Sequence, residues 1–178
     1  MTGETPPLRP FSDNVIFLDT EFSSLDPYTG EILSIGLVKP DGAELYLELE
    51  YDGEVSDWVR ENVTPMLTAP KLSRAAACER IKAFVGGTKP FAISYVNQYD
   101  AVYLYKLFGV DGHPFHWQPI DIAAMLFGAG LDPGAPGKAE FARGLGIDPS
   151  QFKEHHALDD ARLLREIYLR LTRRAEEP

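Results

Sequence analysis

The segment Val15–Phe22 reads VIFLDTEF, so four apolar residues run directly into two carboxylates. A short apolar run of this kind predicts a strand buried on both faces of a sheet. Residues two apart on a strand point to the same face, so Asp19 and Glu21 are predicted to project together from its end. An isolated pair with this spacing is also typical of a strand-ending turn with Glu21 in solvent. The pair therefore needs partners from elsewhere in the chain before it indicates a site.

The sequence around this segment predicts three strands in series, followed by alternating helices and strands. After Ile32–Val38, the turn Pro40-Asp41-Gly42 leads into Glu44–Tyr51, where leucines alternate with polar residues, which predicts an antiparallel hairpin with one face in water. Further strands are predicted at Phe91–Val96 and Trp117–Ile120, and helices after Ser56, at Ser73–Val85, at Gln98–Phe108, from Asp121, at Ala139–Arg143 and at Ala157–Arg174. This order predicts a mixed α/β sheet with helices on both faces. We expect one domain over residues 13–175 after a disordered proline-rich tail, 1–12.

Composition narrows the classes of function. The chain has 178 residues, 44% of them hydrophobic, and a net charge of −10, which excludes a broad basic face for duplex nucleic acid. The acid excess is local, because residues 1–70 hold 3 basic and 14 acidic side chains. The single cysteine, Cys78, excludes an internal disulfide framework and is typical of a reducing compartment. With no membrane-length apolar run and no signal peptide, we expect a cytoplasmic protein.

Two more carboxylates lie where a core is expected. Asp100 follows an apolar strand and falls in the first turn of the next helix, a position at which an isolated aspartate is usually a helix cap. Asp160 shares a helical stripe with Leu164 and Ile167, and this stripe must face the sheet, whereas Asp159 is predicted to face water. A carboxylate that faces the core needs a cation or strong hydrogen-bond donors.

The four carboxylates together predict a metal site. Oxygen ligands suit hard cations such as Mg²⁺ or Mn²⁺, and two such ions about 4 Å apart can activate a water and stabilise the leaving oxygen of a phosphodiester. A nearby histidine supplies a general base. An acidic chain would repel the negatively charged phosphate of nucleic acid. Bound metal would reverse this locally, since it makes the field at the site attractive to phosphate.

At this point the sequence resembles the DEDDh group of 3′ to 5′ exonucleases, in the RNase H-like, RNase T-like superfamily. The three matching motifs, in the expected order, are Leu18–Phe22, Asn97–Asp100 and His155-x-Ala157-x-x-Asp160. Within the superfamily, small stand-alone bacterial exoribonucleases are the most similar group. The resemblance implies an RNase H-like five-stranded sheet, two divalent metals and the release of nucleoside 5′-monophosphates from RNA 3′ ends.

Residue roles carried over from the resemblance follow the motifs. Asp19, Glu21, Asp100 and Asp160 would be metal ligands, and His155, five residues before Asp160, would be the general base, while His156 packs or is solvated. Phe22, Thr20 and Asn97 would bind substrate, and Asp121 would be structural. The family often has asparagine four places before the second aspartate, where this chain has Val96.

The sequence leaves three hypotheses for the function open. The first is an exoribonuclease, which the resemblance favours. The second is a DNA-directed exonuclease of the proofreading or repair type, since the choice between ribose and deoxyribose depends on contacts to the 2′-hydroxyl. The third is a non-catalytic RNase H-like module that binds nucleic acid or protein. The resemblance also admits a homodimer, and the sequence does not determine the oligomeric state.

Overall fold

The computed structural model describes residues 8–172. Its strands are β1 Val15–Phe22, β2 Ile32–Val38, β3 Glu44–Leu49, β4 Lys71–Leu72, β5 Phe91–Ser94 and β6 Ile120–Asp121. Its α-helices are α1 Asp57–Asn62, α2 Arg74–Val85, α3 Gln98–Gly112, α4 Ile122–Gly128, α5 Ala139–Gly144 and α6 Ala157–Thr172.

The strands form one mixed sheet in the order β4-β3-β2-β1-β5-β6. The antiparallel pairing of β1 with β2 and of β2 with β3 is confirmed, and β5 lies parallel to β1. The sheet has six strands in the described residues, so the expected number of five is wrong. The additional strand, β4, contributes two residues parallel to β3, which is too short to produce an alternation that a sequence pattern could reveal.

The alternation of β1 divides the core between the two faces of the sheet. Ile16 and Leu18 pack against α2 and α3 on one face. Phe17 packs against α4, α5 and α6 on the other. The prediction of helices on both faces is therefore confirmed, and by the same period of two Asp19 and Glu21 share the face covered by α6.

The predicted wet face of the β2–β3 hairpin is wrong. Tyr46 is half-buried and Glu48 is completely buried, because α6 covers this face as well. The Glu48 carboxylate accepts hydrogen bonds from the Tyr46 hydroxyl (3.1 Å) and the Ala69 N–H (2.8 Å). Both bonds end on Oε1, so tertiary contacts hold one oxygen of a carboxylate that the alternation alone would place in solvent, and Oε2 is buried without a hydrogen-bond partner among the described residues.

Element ends differ from the predictions where the backbone turns sharply. β5 ends at Ser94 because Val96 has a left-handed backbone (φ 57°), which a strand cannot contain. α3 continues beyond Phe108 to Gly112, across a kink at Gly109 (φ 67°). The β6 strand begins at Ile120 instead of Trp117.

The chain ends extend beyond the described residues. Residues 1–7 of the predicted tail and the end of the predicted last helix, 173–174, lie outside them. Within the tail, the Leu8 N–H donates a hydrogen bond to the Leu171 carbonyl (2.8 Å). None of the helices in residues 8–172 has the length and apolar composition needed to span a membrane.

Gly36 sets how closely α6 approaches the sheet. It lies in β2 opposite Asp19 of β1. A Cβ at this position would overlap the carbonyl of Ala157 and the Cα of Leu158, which are backbone atoms of the first turn of α6. Only glycine therefore allows the helix to start directly over the strand that carries Asp19.

We expect Gly36→Ala to destabilise the protein by about 1–3 kcal/mol, because the clash involves backbone that cannot rotate away. Chemical denaturation of the wild type and the variant measures this loss. Gly87→Ala is the matched control, since a Cβ at residue 87 meets nothing within 4 Å. Equal stability of the two variants would contradict the close approach of α6.

Candidate active site: a carboxylate cluster between sheet and helix

Three carboxylates from two elements converge where α6 crosses β1. Asp19 and Glu21 point from β1 toward α6, and Asp160 lies in the first turn of that helix. One oxygen from each of the three lies within 4.8 Å of the others. The structure therefore brings together three of the four carboxylates predicted as metal ligands.

Asp100, the fourth carboxylate, lies beside this cluster and is held by β1. It is buried, and its Oδ1 accepts hydrogen bonds from the Thr20 N–H (3.1 Å) and the Thr20 hydroxyl (2.6 Å). Its charge raises the pKa of both Asp19 and Glu21, which places it within electrostatic reach of the cluster. The Thr20 hydroxyl is thus committed to orienting Asp100.

Burial raises the pKa of every member of the site, and repulsion from the other site carboxylates raises it further at Asp19 and Glu21. Burial is the largest cause at Asp19, followed by the charges of Asp100, Asp160 and Glu21, and its pKa is raised well above the usual value. Burial and the neighbouring carboxylates raise the pKa of Glu21 to about 8. Burial raises the pKa of Asp100 to about 7, against hydrogen bonds from Thr20 and Ser94 that lower it. Burial and the charge of Glu154 raise the pKa of Asp160 to about 7. The ionised carboxylates therefore lack stabilising partners, and bound cations would supply them.

The burial of Asp159 and Asp160 differs from the prediction that the helical pattern gives. Asp159 is buried, and Asp160 is half-buried because it faces a cavity. Asp159 forms an ion pair with Arg162 (2.6 Å) and accepts a hydrogen bond from the Lys153 N–H (3.3 Å). The prediction that Asp159 faces water is wrong, because the segment before α6 folds back over it.

His155 and His156 have separate environments. His155 has a left-handed backbone (φ 60°), lines the cavity and meets the Trp58 ring edge-on at 4.8 Å. His156 turns toward the sheet, where its ring stacks on Tyr46 at 4.6 Å. His155 therefore lines the same cavity as the carboxylates, whereas the His156 ring packs against β3.

The site opens into a cavity of about 840 Å³. Of the three residues predicted to bind substrate, all within the described part of the chain, Phe22 and Thr20 line the cavity and Asn97 does not. Phe22 is half-buried and stacks on Tyr103 at 4.7 Å, which fixes its ring in the wall. Among the described residues that line the cavity, Lys138 is the only lysine or arginine, and it pairs with Asp132 (2.8 Å).

Asp121 holds the turn that precedes Asp100. Its carboxylate accepts hydrogen bonds from the N–H groups of Val96 (3.2 Å), Asn97 (3.3 Å) and Ala123 (2.8 Å). Val96, which stands where the resembled family often has asparagine, has the left-handed backbone that asparagine adopts more readily than valine. Asp121 thus secures a strained residue at the entrance to α3.

Sequence reasoning missed two interior residues of β3 that share the sheet face of the carboxylates. Tyr46 and Glu48 lie on the same sheet face as Asp19 and Glu21. The signal was present, because Leu45, Leu47 and Leu49 occupy one face and the residues between them must occupy the other.

The donor set fits divalent metal. Asp19, Glu21 and Asp160 offer clustered oxygens with raised pKa values, and their charges have no arginine partner among the described residues. Hard divalent cations prefer oxygen ligands of this kind. Asp100 would complete the set from the side.

The chain resembles named exoribonucleases in part. No family model matches it. It is 35% identical over 102 residues to two Mycobacterium tuberculosis proteins, the 3′-5′ exoribonucleases Rv2179c of strain H37Rv and MT2234.1 of strain CDC 1551. The match covers 52% of this chain and 60% of each relative, so the chain spans less than two thirds of their length.

Solved structures of exonuclease I share the fold. One aligns with a TM-score of 0.64 at 19% identity, over 89% of this chain and 42% of that chain. The zinc-bound complex of Escherichia coli exonuclease I with single-stranded DNA aligns with a TM-score of 0.66 at 14% identity, over 85% and 38%. At these identities the likeness shows the fold, and the expected RNase H-like class is confirmed.

In EDTA we expect the melting temperature to fall as the pH rises from about 4 to about 8, between the ordinary carboxyl pKa values and the raised values of Glu21, Asp100 and Asp160. The folded protein holds these protons more tightly than the unfolded chain, so ionisation destabilises the fold. Thermal unfolding at each pH measures the fall. Asp19→Asn should flatten it by removing one charge, and a wild-type slope unchanged by this substitution would contradict the repulsion.

Proposed function

We propose that this protein is a metal-dependent 3′ to 5′ exonuclease that acts on RNA 3′ ends and releases nucleoside 5′-monophosphates. The observation that carries the proposal is the convergence of Asp19, Glu21 and Asp160, with Asp100 beside them and His155 in the wall of the same cavity. Clustered carboxylates of raised pKa are costly to the fold, and phosphodiester hydrolysis gives them a use.

The carboxylates would hold two divalent cations. When bound, these ions activate a water and stabilise the leaving oxygen of a phosphodiester. Asp19, Glu21 and Asp160 supply ligand oxygens from two rigid elements, and Thr20 fixes the carboxylate of Asp100. Neutralising the site in this way lets an acidic protein attract the phosphate of its substrate.

His155 would take the proton from the attacking water. It lines the same cavity as the carboxylates, and the edge-on contact with Trp58 limits the rotation of its ring. Phe22, held by Tyr103, would contact the terminal base of the substrate. Thr20 would position Asp100 through its hydrogen bonds rather than contact substrate. Asn97 would not contact substrate, because its side chain is buried.

RNA is the preferred substrate of this proposal. Two relatives named 3′-5′ exoribonuclease support it over part of their length. DNA is the second candidate, since the matching exonuclease I structure contains single-stranded DNA. A direct comparison of the two polymers decides between them.

With 5′-labelled single-stranded RNA and DNA, we expect stepwise shortening from the 3′ end in Mg²⁺ or Mn²⁺, faster on RNA, and none in EDTA. Asp19→Asn should abolish it by removing a ligand charge, and circular RNA should stay intact. Nucleoside 5′-monophosphates are identified by chromatography. Faster shortening of DNA would transfer the proposal to the DNA-directed class, and no shortening of either polymer would favour a binding module.

His155→Ala should lower kcat by about 10²- to 10⁴-fold, the usual contribution of a general base. Mn²⁺ affinity, measured by calorimetry, should stay near wild type because the carboxylates remain. Added imidazole should restore part of the rate. A parallel loss of Mn²⁺ binding and activity would instead make His155 part of the metal site.

A further inference from the structure

We propose that Tyr46 and His156 form a clamp that positions His155 and Asp160 over the carboxylates of β1. The inference rests on the proposed function, since it assigns residues that support the same site. Neither residue lines the cavity in the part of the chain that the structure describes, so both would act through their neighbours.

The sheet register places Tyr46 under the start of α6. Asp19 of β1 pairs with Gly36 of β2, and Gly36 pairs with Tyr46 of β3. The first turn of α6 lies over the glycine between them. Tyr46 is therefore the first side chain beyond Asp19 on this row that can contact the helix.

The contact is a ring stack between two fixed groups. The rings of Tyr46 and His156 are 4.6 Å apart and inclined by 29°. The Tyr46 hydroxyl donates to Oε1 of Glu48, which also accepts the Ala69 N–H. Glu48 is completely buried. Burying a carboxylate is unfavourable, and here its hydrogen bonds fix the direction of the tyrosine ring.

His156 is the pivot of the turn that presents the two functional residues. Its N–H donates to the Lys153 carbonyl (3.3 Å), and its own carbonyl accepts from the N–H groups of Asp159 (2.8 Å) and Asp160 (3.0 Å). His155, immediately before it, has the strained left-handed backbone. Such strain persists only where the surroundings hold it, and the ring stack is one of the contacts that do so.

An ion-pair network on the same face reinforces the turn. Asp159 Oδ1 accepts from Arg162 (2.6 Å), and Arg162 also donates to Glu44 of β3 (2.8 Å). The His156 Nδ1 atom lies 3.6 Å from Oδ2 of Asp159. β3 thus holds the start of α6 at two points, through Tyr46 and through Glu44.

The competing interpretations are that His156 is itself the general base, or that the stack is ordinary packing without effect on the site. The clamp and these two alternatives make different demands on the side chain of residue 156. A clamp needs a flat ring of similar size, a base needs the imidazole, and ordinary packing needs neither for turnover.

The test compares His156→Phe with His156→Ala in the full chain, and Tyr46→Phe with Tyr46→Leu. We expect the Ala and Leu variants to lose about 10- to 100-fold in kcat, as is typical when an outer support of a metal site is removed, with KM little changed. His156→Phe should stay near wild type because the stack remains, whereas Tyr46→Phe, which also loses the hydrogen bond to Glu48, should fall between the wild type and Tyr46→Leu. Tyr105 and His113 form a second stack, 4.3 Å apart, away from the cavity, so His113→Ala is the matched control.

Paramagnetic broadening gives a readout that does not depend on turnover. In the wild type, Mn²⁺ bound by the carboxylates should broaden the ring resonances of His155, and the broadening should weaken in His156→Ala and Tyr46→Leu. If one of these two does not fold by circular dichroism, the other decides.

The outcomes separate the clamp from the proposed function. Loss of activity in His156→Phe equal to that in His156→Ala overturns the clamp and makes the imidazole the base. Wild-type activity and broadening in both Ala and Leu variants overturn it in favour of ordinary packing. If the wild type degrades neither RNA nor DNA, the proposed function fails, while the broadening still decides whether Tyr46 and His156 position His155.

Discussion

The packing of α6 against β2 at Gly36 is the contact on which the site depends. A helix that crosses a sheet usually stands off by the thickness of its side chains, and here the missing Cβ removes that layer at one point. The consequence is that Asp160 reaches Asp19 and Glu21, within 4.8 Å. The same contact covers β3, so that Tyr46 and Glu48 become interior residues. One glycine therefore governs both the assembly of the carboxylates and the burial of the network behind them.

The close approach has an electrostatic cost that shapes the surroundings. Four carboxylates with raised pKa values repel one another in a partly buried site. The fold offsets this only in part, through the hydrogen bonds of Thr20 to Asp100 and the backbone N–H groups near Asp160. A fold that stabilised the cluster fully with arginines would occupy the ligand oxygens. The unsatisfied charge is therefore what a cation-binding site requires, and a cation held there would make the local field attractive to phosphate.

Periodicity predicted the parts of the fold that one element determines by itself. The period of two placed Asp19 and Glu21 on one face, and the helical period placed Leu164 and Ile167 in the core. The failures involve contacts between elements. Asp159 is buried because the preceding segment folds over it, and Glu48 is buried because α6 reaches β3. The apolar stripe of α6 does not reveal which segments pack against the opposite, polar face of the helix. The alternation of β3 defines two faces of the strand but does not reveal whether helices cover both.

Two left-handed residues explain why the carboxylates of the helices can face the same point. Val96 precedes α3 and His155 precedes α6, and this backbone is uncommon for any residue other than glycine, more so for valine than for histidine. Each makes the chain turn sharply, so that the N-terminal turn of the helix, with Asp100 or Asp160, is directed at the end of β1. The partial positive charge of a helix N-terminus favours the ionised carboxylate and a bound phosphate alike. Asp121 accepts the N–H of Val96 in the first turn, and in the second the Tyr46–His156 stack lies one residue after His155, so a contact with the sheet lies at or beside each left-handed residue. Strain at both entrances is thus the structural condition for aiming two helices at one site.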